Sequence, residues 1–153
     1  MADRITLAQM GVEVPVAMDT AEAFAAIALG AVACDGVLGR EEAHALRRHL
    51  EYRIPYRDRS DEQMGDLFDR LLTVLRQDGG LPRLIDQALP VLNPEQLETS
   101  LALAAQLVHA DRVVDDEEHA FLAMLCERMP QGKERCEAIV SAIVALNRDS
   151  LAC

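Results

Sequence analysis

Apolar residues recur every three or four positions along most of the chain, and no strand-like alternation persists over a useful length. This spacing is typical of amphipathic α-helices. Polar capping signals mark where helices begin, as at Asp19, Ser60 and Asn93, and glycine or proline marks where several of them end. We therefore predict six or seven helices, over residues 19–34, 40–52, 60–78, 81–89, 93–111, 116–129 and 133–147, with a connecting loop over 54–59.

A short acidic signature occurs twice and relates two parts of the chain. Residues 31–50 and 107–126 are identical at six of twenty positions when aligned without gaps. In each copy an Asp ends an apolar stretch, a short loop follows, and a Glu pair opens the next predicted helix. The fold class that this predicts is all-α: a compact bundle built from two pseudo-repeated helix hairpins, over about 19–52 and 93–129.

The length and composition are those of one globular domain. Half of the 153 residues are hydrophobic, so we expect a single helical domain over 1–153 with a substantial core. Aromatic residues are scarce, at 3%, and the small aliphatic residues that remain favour packed helices. The net charge of −11 argues against nucleic acid or an anionic membrane surface as the partner.

The chain shows no signal for insertion into a membrane. Its longest apolar run, residues 23–34, covers about half the length that a membrane-spanning helix needs. Charged residues interrupt the N-terminal stretch where a signal peptide needs an apolar core. The four cysteines form no C-x-x-C pair. We expect a cytoplasmic protein.

Helical periodicity singles out four acidic residues. Asp35 continues the apolar stripe of the first predicted helix, and Asp111 continues that of the fifth. Glu42 and Glu118 align with the apolar positions of the helices that follow. Each hairpin is therefore expected to direct one Asp and one Glu towards the interior, where ionised carboxylates need compensation.

Two interpretations of these acids remain open. In the first, Asp35, Glu42, Asp111 and Glu118 share a divalent cation, Ca²⁺ or Mg²⁺ rather than Zn²⁺, because the motif loops offer oxygen ligands and no cysteine. In the second, the acids are helix caps: Asp115-x-x-Glu118 is a capping box, and the helix dipole favours acids in a first turn. The loop after Asp35 lacks the alternating oxygen ligands of an EF-hand.

No catalytic motif accompanies these acids. The chain contains no H-E-x-x-H, P-loop, G-x-S-x-G or dinucleotide-binding fingerprint, so we expect a protein that is not an enzyme. Residues 47–59 are rich in arginine, unlike the rest of this acidic chain, and are a candidate contact for an anion or a partner. A solvated helix end is the simpler interpretation. The five arginines of this stretch are Arg47, Arg48, Arg53, Arg57 and Arg59.

The acidic signature resembles that of the tellurite-resistance TerB-like proteins. Residues 33–42, ACDGVLGREE, are similar to its first occurrence, in which an alanine-rich helix ends in Asp-Gly and a Glu opens the next helix. Residues 109–118, HADRVVDDEE, resemble the second occurrence, but Arg112 replaces the usual Gly. The resemblance implies about seven helices around a pseudo-twofold axis. It also implies an acidic cluster for divalent cations, which falls on Asp35, Glu42, Asp111 and Glu118.

The resemblance further implies a role in tellurite resistance and stress responses, carried out in complexes with other proteins. We therefore expect a non-enzymatic, metal-binding stress-response protein. The alternative is a metal-free protein–protein interaction module whose acids are caps. A homodimer formed through an apolar helix face is consistent with the pattern.

Overall fold

The computed structural model describes residues 18–34, 40–109 and 114–148, and these residues form helices and no strand. The described residues contain eight α-helices and one short 3₁₀ helix, which confirms the all-α prediction. The α-helices are α1 (Thr20–Ala33), α2 (Arg40–Leu50), α3 (Ile54–Arg57), α4 (Asp61–Leu75), α5 (Gly80–Ala88), α6 (Pro94–His109), α7 (Asp116–Arg128) and α8 (Lys133–Leu146). The 3₁₀ helix, Leu89–Val91, follows α5.

Helix α1 lies at the centre of the protein. Every residue from Ala21 to Ala31 is buried, and α1 contacts α2, α4, α5, α6 and α7. Its alanines allow these neighbours to approach closely. At Gly30 an added methyl group would lie 3.0 Å from Cε1 of Phe121 and 3.1 Å from Cδ1 of Leu81. The amphipathic stripe predicted for this helix is therefore wrong in one respect, because α1 is buried on all sides.

The remaining helices surround α1 with larger aliphatic residues. Helices α4 and α5 pack on each other and on α1, whereas α7 and α8 pack on α6. The largest fully buried side chains come from six of the helices: Ile27, Leu29, Leu46, Leu50, Met64, Leu67, Leu71, Leu84, Ile85, Leu101, Val108 and Leu125. Burial of such side chains is the main source of stability in a bundle of this size.

Local capping explains where several helices begin. Ser60 and Gln63 exchange hydrogen bonds at the start of α4, and Asn93 and Gln96 do the same at the start of α6. Asp19 caps α1 by accepting a hydrogen bond from the amide of Glu22 at 2.8 Å. The Glu22 side chain does not complete a capping box. It is buried and lies 3.3 Å from the Arg70 guanidinium of α4 instead.

The connection predicted as a loop over 54–59 contains the single-turn helix α3. Pro55 lies in its first turn, where the missing amide hydrogen has no cost. Tyr56 of this helix is buried, and its hydroxyl donates a hydrogen bond to the backbone carbonyl of Ala21. This bond fixes α3 against the first turn of α1.

No helix in the described parts of the chain is both long enough and apolar enough to cross a membrane.

Candidate functional site

Helices α1 and α6, which precede the two candidate Asp residues, pack on each other. Residues from the N-terminal turns of both helices line one groove, among them Phe24 of α1 and Gln96 and Thr99 of α6. At the other end, Gly30 of α1 lies against Phe121 of α7. Because α7 begins shortly after α6 ends, both α1 and α6 end near the N-terminal half of α7.

Of the four candidate acids, only Glu118 has a described side chain. Asp35 and Asp111 lie outside the described residues, one and two positions after the segments that contain α1 and α6. Glu42 belongs to α2, one turn before the buried Leu46, but its side chain is also outside the described part. The structure therefore brings the preceding helices together and leaves the meeting of the four carboxylates as a prediction.

Glu118 is half-buried at the start of α7 and forms the capping box that the sequence predicts. Its amide donates to Asp115 Oδ1 at 2.8 Å, and its Oε1 accepts a hydrogen bond from the Asp115 amide at 3.2 Å. The residues that continue its face, Leu122, Leu125 and Met129, are all buried, so Glu118 lies in register with the buried face of α7.

The burial of α2, α6 and α1 agrees to different degrees with the apolar stripes that were used to select the acids. On α2, Leu46 and Leu50 are buried while Arg48 is exposed, so position 42 belongs to the register of the buried face. On α6, the predicted stripe that ends in Val108 is buried. On α1 the stripe selects nothing, because the whole helix is buried. The selection of Asp35 thus rests on its place at the end of α1 and on its match with Asp111.

The described residues alone do not contain a metal-ligand cluster. Among the described side chains of residues 18–34, 40–109 and 114–148, no group of three or more His, Cys, Asp or Glu is arranged to bind a metal ion. The candidate donor set consists of carboxylates, which are the ligands of hard cations such as Ca²⁺ and Mg²⁺. The chemistry of the set fits such a cation.

The five candidate arginines do not form one cluster. Arg47 is paired with Asp61 at 2.6 Å, and Arg59 lies 3.8 Å from Asp19. Arg53 lies over the rings of Phe24 and Tyr52, at 5.1 and 5.4 Å from their centroids. Arg48 and Arg57 are exposed.

Two surface cavities were not predicted from the sequence. One, of about 490 Å³, lies between α6, α7 and α8 and includes His109 and Cys126. Burial raises the pKa of the Cys126 thiol to about 11, and the neighbouring Cys136 contributes to the rise. The other, of about 460 Å³, lies between α3 and the N-terminal turns of α1 and α6. Both are formed by residues distant in sequence, and the only local signal was the apolar pair Tyr52 and Ile54 beside the arginines.

Comparison with known proteins identifies the family. No match was found among curated proteins or among solved structures. The family described as "Tellurite resistance protein TerB" matches residues 21–139, which extend from α1 into α8 and include both acidic signatures. Since the match covers well over half of the chain, this protein belongs to the TerB family of tellurite resistance proteins.

Proposed function

We propose that this TerB-family protein acts in a tellurite-associated stress response without catalysing a reaction, and that it binds a divalent cation between its two helix hairpins. The cation ligands would be Asp35, Glu42, Asp111 and Glu118. The cation would link the hairpin α1–α2 to the hairpin α6–α7 and stabilise the surface that they present to other proteins.

The contact between Gly30 and Phe121 is the observation that carries this proposal. Gly30 lies five positions before Asp35, and Phe121 lies three positions after Glu118. Acids from different repeats thus lie three to five positions along the chain from a point where α1 and α7 touch each other. Four carboxylates brought near one another repel, and each would favour protonation unless a cation offset the charge.

The chemistry of the ligands favours a hard cation. Ca²⁺ accepts six to eight oxygen ligands, which four carboxylates together with loop carbonyls and water can supply. Zn²⁺ favours a tetrahedral set that includes nitrogen or sulfur. We therefore propose that this site binds Ca²⁺ or Mg²⁺.

The second candidate function is a metal-free interaction module, and the capping box at α7 favours it. Asp115 and Glu118 satisfy each other's backbone amides, which gives Glu118 a structural role that needs no metal. If the matching acids of the first hairpin act in the same way, the acidic signature serves folding alone.

Thermal unfolding of chelator-stripped protein tests the proposal. Added Ca²⁺ or Mg²⁺ should stabilise the wild type by about 2.7 kcal/mol when the free cation is a hundredfold above its Kd. The variant Asp35→Asn/Asp111→Asn should lose this response. Asp66→Asn/Asp69→Asn, which makes the same change in net charge at exposed positions of α4, should keep it. A wild type that responds to no divalent cation would disprove the proposed site.

Glu118→Gln separates the two candidate functions. Glutamine can occupy the same place in a capping box, so the cap at α7 should survive the substitution. The proposed site predicts a weaker cation response because one carboxylate is lost. The metal-free module predicts that the variant unfolds like the wild type with and without cation.

A further inference from the structure

A groove at the opposite end of α1 from Asp35 combines positive charge with exposed apolar side chains. We call it the basic groove, and it has a volume of about 460 Å³. Its walls come from α3 with the preceding turn and from the N-terminal turns of α1 and α6. The lining residues are Thr20, Phe24, Tyr52, Arg53, Ile54, Pro55, Tyr56, Glu95, Gln96 and Thr99.

Arg53 supplies a cation that is fixed in position. Its guanidinium carbon lies 5.1 Å from the ring centroid of Phe24 and 5.4 Å from that of Tyr52. These contacts hold the guanidinium by cation–π attraction, which restricts its rotamers before any ligand binds. Within the described part of the chain no carboxylate lies within ion-pair distance of Arg53. A ligand carboxylate would therefore not have to displace an internal partner.

The rim of the basic groove is apolar and exposed. Tyr52 is 61% exposed and Ile54 is 77% exposed, and both are among the large hydrophobic residues that the described fold leaves outside its core. Pro55, beside them, is also exposed. An aliphatic or aromatic side chain placed between Tyr52 and Ile54 would remove apolar surface of both partners from water, which favours binding.

The segment that contributes the α3 side of the basic groove is positively charged, unlike the chain as a whole. Residues 47–59 contain five arginines and two acids, a net charge of +3, in a protein of net charge −11, and within this segment Arg47 and Arg59 are paired with Asp61 and Asp19. Arg57 is exposed on α3, and Arg59 lies over the ring of Tyr56 at 5.9 Å. Glu95 is an acid on the α6 side of the groove, so the arginines that a ligand could reach, Arg53 and Arg57, lie on the α3 side. The complementary ligand is acidic and carries a bulky apolar residue.

We propose that the basic groove docks a short acidic peptide segment of a partner protein, with one aliphatic or aromatic side chain between Tyr52 and Ile54 and carboxylates facing Arg53 and Arg57. Charge complementarity favours this occupant over an anionic membrane, because the net charge of the remaining surface would be repelled by anionic lipid. The groove is small for a stable protein interface, and the contact is expected to be transient. It does not depend on the cation site.

Selection from a random peptide library displayed on phage, with the full chain immobilised, identifies the preferred ligand. The proposal predicts enrichment of peptides that combine two or more Asp or Glu with an aliphatic or aromatic residue. The selected peptide is then labelled and its binding to the full chain measured by fluorescence anisotropy. Raising the salt concentration should weaken binding, because part of the attraction is between exposed charges.

Variants with matched controls locate the binding surface. Ile54→Ser should weaken binding about tenfold or more, since a buried aliphatic side chain is lost from the complex. Leu146→Ser, at a residue of similar exposure (72%) on α8, should bind like the wild type. Arg57→Gln should weaken binding about two- to fivefold, as expected for a surface ion pair, and Arg76→Gln, at an exposed arginine after α4, should not.

Three results would overturn the proposal. The first is selection of no peptide, or of peptides without acidic residues. The second is a selected peptide that binds Ile54→Ser and Arg57→Gln as tightly as the wild type. The third is binding of the wild type to vesicles of phosphatidylglycerol and phosphatidylcholine, lost in the same two variants, without selection of an acidic peptide. This last result would assign the groove to a membrane surface.

Discussion

The buried hydroxyl of Tyr56 provides a sharp test of how α3 is held against α1. Tyr56→Phe removes one oxygen and keeps the ring, so packing is preserved and the hydrogen bond to the Ala21 carbonyl is lost. Inside α1 the same carbonyl also accepts the regular helical bond, so it is not left without a partner. We expect a loss of about 1 kcal/mol in the free energy of unfolding, or about 2–4 °C in Tm.

The difference in the free energy of unfolding between the wild type and Tyr56→Phe should depend on pH, which tests whether the phenol is buried. Burial raises the pKa of Tyr56 well above its usual range, and Asp19 adds to the rise while Arg59 and Arg53 oppose it. A raised folded-state pKa contributes stability that is fully present below the unfolded-state pKa, near 10, and is lost as the pH rises above it. The wild type should therefore lose about 0.8 kcal/mol relative to Tyr56→Phe by about pH 10.5, so the two proteins become nearly equal in stability.

Urea unfolding followed by circular dichroism, from about pH 8 to about pH 10.5, measures this difference. Tyr52→Phe is the matched control. Tyr52 is mostly exposed, so its removal should change stability by less than about 0.5 kcal/mol at every pH. A Tyr56→Phe variant as stable as the wild type near neutral pH would refute the role of the hydrogen bond. A difference that stays constant up to the highest pH would refute the burial of the phenol.

Two further predictions concern other buried groups. Arg70→Met should destabilise the fold by about 1–3 kcal/mol, because the carboxylate of Glu22, 10% exposed, loses its partner, and adding Glu22→Gln should recover part of the loss in urea unfolding. The rate at which iodoacetamide alkylates Cys126, followed by peptide mass spectrometry, should rise about tenfold per pH unit from about pH 8 to 10, because the pKa of the thiol is raised to about 11. A rate that levels off near pH 9 would contradict that pKa.

The sequence predicted the helices well where the signals are local. Ser60, Asn93 and Asp115 cap their own helices through residues three positions away, so their roles are visible without tertiary structure.

Features that depend on long-range contacts were not predictable in the same way. Helix α1 is apolar over almost its whole circumference, so periodicity could not show that it is buried on all sides. The partner of Glu22 is Arg70, on α4, and no local pattern indicates that pairing. Helix α3 has one turn and no period, and the basic groove exists only because α3 packs between the ends of α1 and α6.

The candidate acidic site lies between these cases. Repetition in the sequence and a resemblance to the TerB family selected Asp35, Glu42, Asp111 and Glu118. The structure shows Glu118 in the capping box of α7 and places Gly30 of α1 against Phe121 of α7. Whether four carboxylates share one ion depends on residues outside the described part of the chain, so the site itself stays a prediction.

Isothermal titration calorimetry of chelator-stripped protein with Ca²⁺ and Mg²⁺ is the most direct test of the central proposal. We predict one bound cation per chain, and loss of the heat of binding in Asp35→Asn/Asp111→Asn but not in Asp66→Asn/Asp69→Asn. The single site follows from carboxylates contributed by both hairpins to one ion. Absence of binding by the wild type, or equal binding by both double variants, would contradict the account and leave the acids as helix caps.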